Sequence, residues 1–211
     1  MNRDSYNAIA QEWDSARQVI GTLEAKYLAV LLQDLPSDAA VLDLGCGSGH
    51  PLGTAIVSRG HQLTGVDQAA NLLALARRRL PQSRWIESRI EDYCPEPAVA
   101  AILCWDVLFH IPRERHEALV KRWFEALHND GRLMLSFGGS EHPAFVDEMF
   151  GKPFFYDSWA PEPMQALLSK TGFTILMGEY TSVPDGGRDK GRYVVVSVKS
   201  PAASGDARTP G

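Results

Sequence analysis

Residues 41–53, VLDLGCGSGHPLG, constrain this chain more than any other stretch. A short apolar run leads into a turn with glycines at alternate positions, Gly45, Gly47 and Gly49. A residue without a Cβ reaches positive φ without steric cost and lets another group approach the backbone. Apolar strand, glycine turn and helix, in that order, form the first crossover of an open α/β sheet that holds an adenosine-bearing ligand. A dinucleotide site spaces its glycines G-x-G-x-x-G. Here the spacing is G-C-G-S-G, and Asp43 stands two residues before Gly45. A carboxylate there is poorly placed for a pyrophosphate but can help hold an amino-acid ammonium, directly or through water. A second acid, Asp67, closes the next apolar run, 22 residues after Gly45. It can accept hydrogen bonds from both hydroxyls of a ribose. Asp is also a favoured N-cap, and the two roles are compatible.

Apolar periodicity sorts the rest of the chain. Tyr6, Ile9, Ala10 and Trp13 make one stripe, which predicts a helix over 4–17. A second helix is expected over 22–35, stopped by Pro36. Strands follow at 41–44, 62–66, 84–87, 98–104 and 132–137, with helices at 52–58, 69–80 and 112–128 between them. This alternation predicts an α/β fold with a doubly wound, parallel sheet. Residues 138–163 are rich in Gly, Pro and aromatics, with no period beyond a short helix expected around 145–150. A helix at 162–171 precedes two strands, 173–180 and 193–199, which read as an antiparallel hairpin at one end of the sheet. The tail, 200–211, is small, polar and rich in Pro and Gly, and is expected to be disordered.

Composition narrows the classes. The 211 residues suffice for one α/β domain. A net charge of -5 argues against a nucleic-acid-binding face, and the run Arg77, Arg78, Arg79 reads as the solvated end of a helix. Three cysteines, Cys46, Cys94 and Cys104, without CxxC spacing suggest neither a disulfide framework nor a metal site. The first residues lack the apolar core of a secretory signal, so a cytoplasmic location is expected. The longest mostly apolar run, 98–111, is broken by Asp106 and is too short to span a bilayer, so no membrane association is expected.

The segments VLDLGCGSG, LTGVDQAANLLALARRRL and ILCWDVLFHIP, with RLMLSF after an N-D-G turn, resemble the class I S-adenosylmethionine-dependent methyltransferases. The resemblance runs over residues 6–199. It implies a seven-stranded, mostly parallel sheet with helices on both faces and one antiparallel strand near the C-terminus. It also implies a single domain over 1–199, with an N-terminal helical cap (1–36) and a lid segment (138–160). The implied cofactor is S-adenosyl-L-methionine. By resemblance, Asp43, Gly45, Cys46 and Gly47 hold its methionine end. Asp67, with Gln68 beside it, holds the ribose, and Ile90 and Glu91 meet the adenine. The family pattern Tyr-x-x-x-Ala-x-x-[Tyr/Trp]-Asp is met by Tyr6, Ala10, Trp13 and Asp14, which places Tyr6 and Trp13 over the cofactor. Cys104 turns its backbone toward it. The chain departs from the family where many members have Gly-Asp-Ala; here stand Ser88, Arg89 and Ile90, then Glu91 and Asp92.

Methyl transfer from a sulfonium needs a positioned acceptor and, where the acceptor carries a proton, a group to take it. The residues after the fourth strand are placed for this. His110 reads either as a general base or as a histidine bonded to the backbone, and Asp106 as an acceptor-orienting group. Trp105, Tyr156 and Trp159 are the expected walls for the acceptor, with Phe154 and Phe155 in the same aromatic lid. The sequence therefore reads as a methyltransferase acting on O or N of a small molecule, as a monomer or homodimer. A methyltransferase acting on RNA or protein, a nicotinamide-dependent oxidoreductase and a non-catalytic module are the alternatives.

Overall fold

The computed structural model describes residues 2–96 and 98–200. Only Ser200 of the tail is among them; 201–211, where disorder was expected, lie outside the described residues. The N-terminal stripe forms two short helices, α1 (Arg3–Ala8) and α2 (Ala10–Ala16), instead of one. They meet at Ile9, whose φ of -107° and ψ of 17° leave the helical region. The bend lets Ala10, with Tyr6 and Trp13, pack onto Ala69, Leu72 and Leu75. Then follow α3 (Thr22–Leu32), β1 (Ala40–Leu44), α4 (Leu52–Val57), β2 (Gln62–Asp67), α5 (Ala70–Arg79), β3 (Arg84–Glu87) and β4 (Val99–Cys104). Where a helix was expected from Pro112, a 3₁₀ turn (Arg113–Arg115) precedes α6 (His116–Ala126). The chain ends in β5 (Leu127–Gly138), β6 (Phe145–Met149), β7 (Lys152–Tyr156), α7 (Pro161–Thr171), β8 (Phe173–Ser182) and β9 (Arg192–Lys199).

Seven strands form one sheet in the order β3-β2-β1-β4-β5-β9-β8. All pairings are parallel except those of β9, which runs antiparallel to both β5 and β8. This is the doubly wound, mostly parallel sheet with one antiparallel strand that the sequence predicts. Successive side chains on a strand point to opposite faces. Leu42, Leu44, Ile102, Leu133 and Leu135 therefore pack on Trp123, Leu167 and Leu168 on one face. Val41, Ala101, Leu103, Met134 and Val196 pack on Tyr27, Leu28, Leu31 and Ile56 on the other. Strand order reverses between β1 and β4, and such sheets bind ligands outside the carboxyl ends of their strands at that switch point.

Residues 145–150, expected as a short helix, instead pair as the antiparallel hairpin β6–β7. Five residues are too few to separate a period of 3.6 from one of 2. Here Phe145, Asp147 and Met149 are partly buried while Val146 and Glu148 are exposed, a period of 2. Phe150 and Gly151, with φ of 50° and 69°, make the two-residue turn, a geometry that matches strand twist. Among the described residues, no helix is long and apolar enough to cross a membrane.

Candidate active site

Three strand ends build the crevice. β1 brings Asp43 and the glycine turn, β2 brings Asp67, and β4 leads into Trp105 and Asp106. Gly45 (φ 76°) and Gly47 (φ 54°) lie in left-handed space. A Cβ on Gly45 would stand 2.1 Å from Val107 Cγ2. A Cβ on Gly47 would meet only Trp13 Nε1, at 3.7 Å, so its missing side chain is open room in the crevice.

Asp67 is the tie between the two crossovers. Its Oδ2 accepts the Gly47 N–H at 2.9 Å and its Oδ1 accepts the Ala69 N–H at 2.8 Å. Asp67 is not the N-cap, which is Ala69; it braces the N–H of that residue and holds the glycine turn. A carboxylate has about four lone-pair sites, so acceptor capacity is left over. Burial raises its pKa against the pull of these backbone hydrogen bonds.

Asp43 is different. It is 4% exposed. Burial, and next the charge of Asp67, push its pKa up to about 7, and among the described residues no hydrogen bond offsets them. It faces a small cavity shared with Trp13, Arg17, Ser48, His50 and Trp105. Arg17 follows α2 and pairs with Glu24. Trp105 is 7% exposed and its Nε1–H has no partner among the described residues.

Asp106 has φ of 58°, a conformation Asp tolerates better than most residues. Its N–H donates to Ser136 Oγ at 2.7 Å, and Arg192 Nη1 donates to its Oδ2 at 3.2 Å. Burial raises its pKa although Arg192 opposes this.

The N-terminus is latched over this crevice. Phe155 N–H donates to Asn2 Oδ1 at 2.9 Å, and Asn2 Nδ2 donates back to Phe155 O at 3.0 Å. Ser5 Oγ donates to Pro153 O at 2.7 Å. His110 Nδ1 lies 2.9 Å from Phe155 O and 2.8 Å from the side-chain amide nitrogen of Asn2. Nε2 lies 2.9 Å from the Tyr6 hydroxyl. Both ring nitrogens are engaged, and burial depresses the His110 pKa to about 4. His110 is thus held neutral by burial, against the opposing pull of the Phe155 carbonyl, and is anchored at both ring nitrogens, which differs from a free imidazole base. Tyr6 is itself pushed well above its ordinary pKa by burial, so it keeps its proton.

Of the predicted cofactor residues, Tyr6, Trp13, Gln68, Ile90 and Glu91 line the crevice with the glycines and Asp67. Glu91 is paired with Arg89. Of the two predicted cysteines, Cys46 lines the smaller cavity beside Asp43 and Cys104 lines neither that cavity nor the crevice. The Cys46 sulfur sits above Gly65, where a Cβ would come within 2.8 Å of it. The Cys104 side chain is fully buried in the core with Leu42 and Leu135, because β4 points that position into the α6 face. Trp159, expected at the acceptor, packs instead on the core beside His116, at 6.3 Å between centroids. Tyr156 lies 4.8 Å from the His110 ring but lines a neighbouring cavity rather than the crevice. Sequence reasoning missed Leu72, Val107 and Ile111, which line the crevice, and Arg17 and Asn2. Leu72 lies on the apolar stripe of α5 and reads as core. Asn2 carries no local signal, since its partner is 153 residues away.

The chain is similar to known proteins. A family model described as "Methyltransferase domain" matches residues 41–131. Trans-aconitate 2-methyltransferase of Paracidovorax citrulli is 35% identical over 108 residues, 50% of this chain and 42% of that protein. The Rhodopseudomonas palustris enzyme of the same name is 30% identical over 152 residues, 67% of this chain and 57% of that protein. The chain thus spans about half the length of these curated relatives. In fold it matches Burkholderia thailandensis 1,6-didemethyltoxoflavin-N1-methyltransferase, solved with 1,6-didemethyltoxoflavin and S-adenosylhomocysteine. That match has a TM-score of 0.70 at 20% identity and covers 94% of this chain and 87% of that one. Taken with the glycine turn, its two acids and the seven-stranded sheet, these matches place the chain in the class I S-adenosylmethionine-dependent methyltransferase superfamily.

Proposed function

We propose that the protein transfers the methyl group of S-adenosyl-L-methionine to an oxygen or nitrogen of a small-molecule acceptor. The observation that carries this reading is Asp43. A buried carboxylate with no hydrogen bond among the described residues, beside a glycine turn with open room at Gly47, is costly unless a cation completes it. An amino-acid ammonium is such a cation, and a dinucleotide has none to offer there. Arg17, in the same cavity, is placed for the amino acid's carboxylate. Asp67 has lone pairs left for ribose hydroxyls, and Ile90 and Leu72 offer apolar surface to an adenine, with Gln68 and Glu91 as its polar neighbours.

The cofactor supplies an electrophilic methyl on a sulfonium, so the chain's own residues have to position and desolvate. Tyr6 and Trp13 cover the crevice from the N-terminal side. We assign His110 to positioning: it pins Tyr6 to the lid through hydrogen bonds rather than moving a proton. Asp106 is the candidate to orient the acceptor and take its proton, because burial raises its basicity toward the working pH. In this reading residues 1–36 are the cap and 138–160 the lid of one domain over 1–199, supported by the Asn2, Ser5 and Tyr6 bonds. The relatives named for trans-aconitate, and the neighbour solved with 1,6-didemethyltoxoflavin, support a small acceptor. The same reading puts the protein in the cytoplasm, as a monomer or homodimer with no nucleic-acid partner; the net charge of -5 supports the last point.

Calorimetric titration with S-adenosylhomocysteine and with NADH tests the assignment. Binding of the first and not the second is expected. Binding of NADH alone would show the crevice to be a nicotinamide site.

A further inference from the structure

A second cavity lies behind Phe109, between the β6–β7 hairpin and the loop joining β8 to β9. Phe109, Tyr156 and Phe145 line it with nearly parallel rings. Phe109 and Tyr156 have centroids 6.0 Å apart at 27°, and Tyr156 and Phe145 are 5.2 Å apart at 15°. Flat, rigid rings of this kind favour a planar ligand. Tyr156 also touches His110, so the cavity backs directly onto the crevice.

The three cations lining it are not equivalent. Arg188 is consumed by Asp147, with Nε to Oδ2 at 2.5 Å and Nη2 to Oδ1 at 2.6 Å. Arg192 donates once, to Asp106, and among the described residues its Nε and Nη2 have no hydrogen-bond partner. The Lys190 ammonium meets a backbone carbonyl, Gly187 O, at 2.6 Å. The acids of the same loop, Asp185 and Asp189, also line the cavity, each with one oxygen accepting a backbone N–H, of Gly187 and Gly191, at 2.7 and 2.8 Å. The uncommitted donors in the cavity are therefore cationic. Their backbone is also held in place. Gly139 N–H donates to Gly191 O at 3.0 Å, and Ser140 Oγ donates to Lys190 O at 2.7 Å. Gly191 lies at φ 73° with Pro184 filling the place of a Cβ. A guanidinium with a free edge on a fixed backbone suits a carboxylate, which it grips through two parallel hydrogen bonds. Arg192 reaches from this cavity to Asp106 on the crevice wall, so a ligand held by it lies next to the reacting end.

We infer that the second cavity binds the methyl acceptor, and that it selects a planar acceptor bearing a carboxylate, which Arg192 reads. The inference rests on the methyl-transfer reading, since it takes the crevice beyond His110 as the donor site. An amine acceptor would be repelled by Arg192 and Lys190.

Three probes of one shape decide it: naphthalene-2-carboxylate, naphthalene-2-carboxamide and 2-naphthylmethylamine, titrated calorimetrically with and without saturating S-adenosylhomocysteine. The carboxylate is expected to bind at least about tenfold tighter than the amide, the scale of a charge-assisted pair. R192Q should bring the two within about twofold, R192K should keep part of the preference, and F145A should weaken all three alike. Equal affinity for acid and amide, tighter binding of the amine, an unchanged preference in both Arg192 variants, or no binding of any probe would overturn the inference. Failure of S-adenosylhomocysteine to bind would overturn the methyl-transfer reading by itself, while the probes without it still decide whether the cavity selects a carboxylate.

Discussion

Replacing Asp43 with Asn should stabilise the ligand-free protein at neutral pH while weakening its hold on the cofactor. In the unfolded chain this carboxyl titrates near 3.8; in the fold, burial and Asp67 move it to about 7. Below pH 3.8 the group is protonated in both states and costs nothing. Between 3.8 and 7 the unfolded chain loses the proton and the folded protein keeps it, so this component of stability falls as pH rises; above 7 the loss is complete. At 1.36 kcal/mol per pH unit the full loss is about 4 kcal/mol, and between pH 5 and pH 8 it is about 3 kcal/mol. That is large against a domain stability of about 5–15 kcal/mol. D43N lacks the titration, and any cost of its unpaired amide is the same at every pH. Urea unfolding at pH 5, 6, 7 and 8 should therefore show the variant gaining on the parent by about 3 kcal/mol across the series. The ammonium of the cofactor should drive Asp43 to ionise. Binding of S-adenosylhomocysteine at pH 6 should then release a proton, seen as a dependence of the binding heat on buffer ionisation enthalpy, and D43N should release none. Its affinity should fall at least about tenfold. Parallel stability–pH curves for parent and variant, or unchanged affinity, would refute the reasoning.

His110 titrates in the opposite sense: its pKa falls from 6.5 to about 4, so its contribution is intact above 6.5 and declines toward pH 4 by at most roughly 3 kcal/mol. In the parent the two slopes offset each other between pH 4 and 6.5; D43N should expose the His110 slope, and D43N/H110N should flatten it, checked in the same unfolding series. H110N alone should lower turnover while leaving the pH profile of kcat/KM in place, whereas loss of one limb of that profile would identify the imidazole as the base. Asp67→Ala removes the acceptor of two buried N–H groups and should cost about 2–3 kcal/mol in unfolding free energy and at least about tenfold in S-adenosylhomocysteine affinity. G45A places a Cβ 2.1 Å from Val107 Cγ2 at a φ of 76°. It should destabilise by about 3 kcal/mol or more, and V107A should restore only part of that, since about 1–2 kcal/mol of backbone strain remains; thermal unfolding of both variants checks this.

Most of the sheet was legible because its signals are local. The apolar runs at Val41, Val66 and Ile102 and the glycines and prolines between them mark strands and turns within windows of a few residues. The acids Asp43 and Asp67 were legible as site residues for the same reason, each standing at the end of an apolar strand. The period was misread where the window was shortest, at 145–150, and the N-terminal stripe concealed a bend at Ile9 that its docking onto Leu72 and Leu75 requires. Trp159 was placed at the site by its position in the chain, and its side chain packs beside His116 instead. Cys104, expected to present only its backbone there, buries its side chain in the core.

The amino-acid sequence alone determined that this chain builds a switch-point crevice with a glycine turn and two acids, since strand, turn and helix are written in consecutive residues. Tertiary structure alone decided the state of those groups. Asp43 is an orphaned carboxyl near neutrality only because the sheet buries it beside Asp67. His110 is neutral because the fold buries it, with Phe155 and Tyr6 meeting its ring from 45 and 104 residues away. Arg192 reaches Asp106 across 86 residues. Burial and long-range partners set charge and pKa, and neither is a property of neighbouring letters.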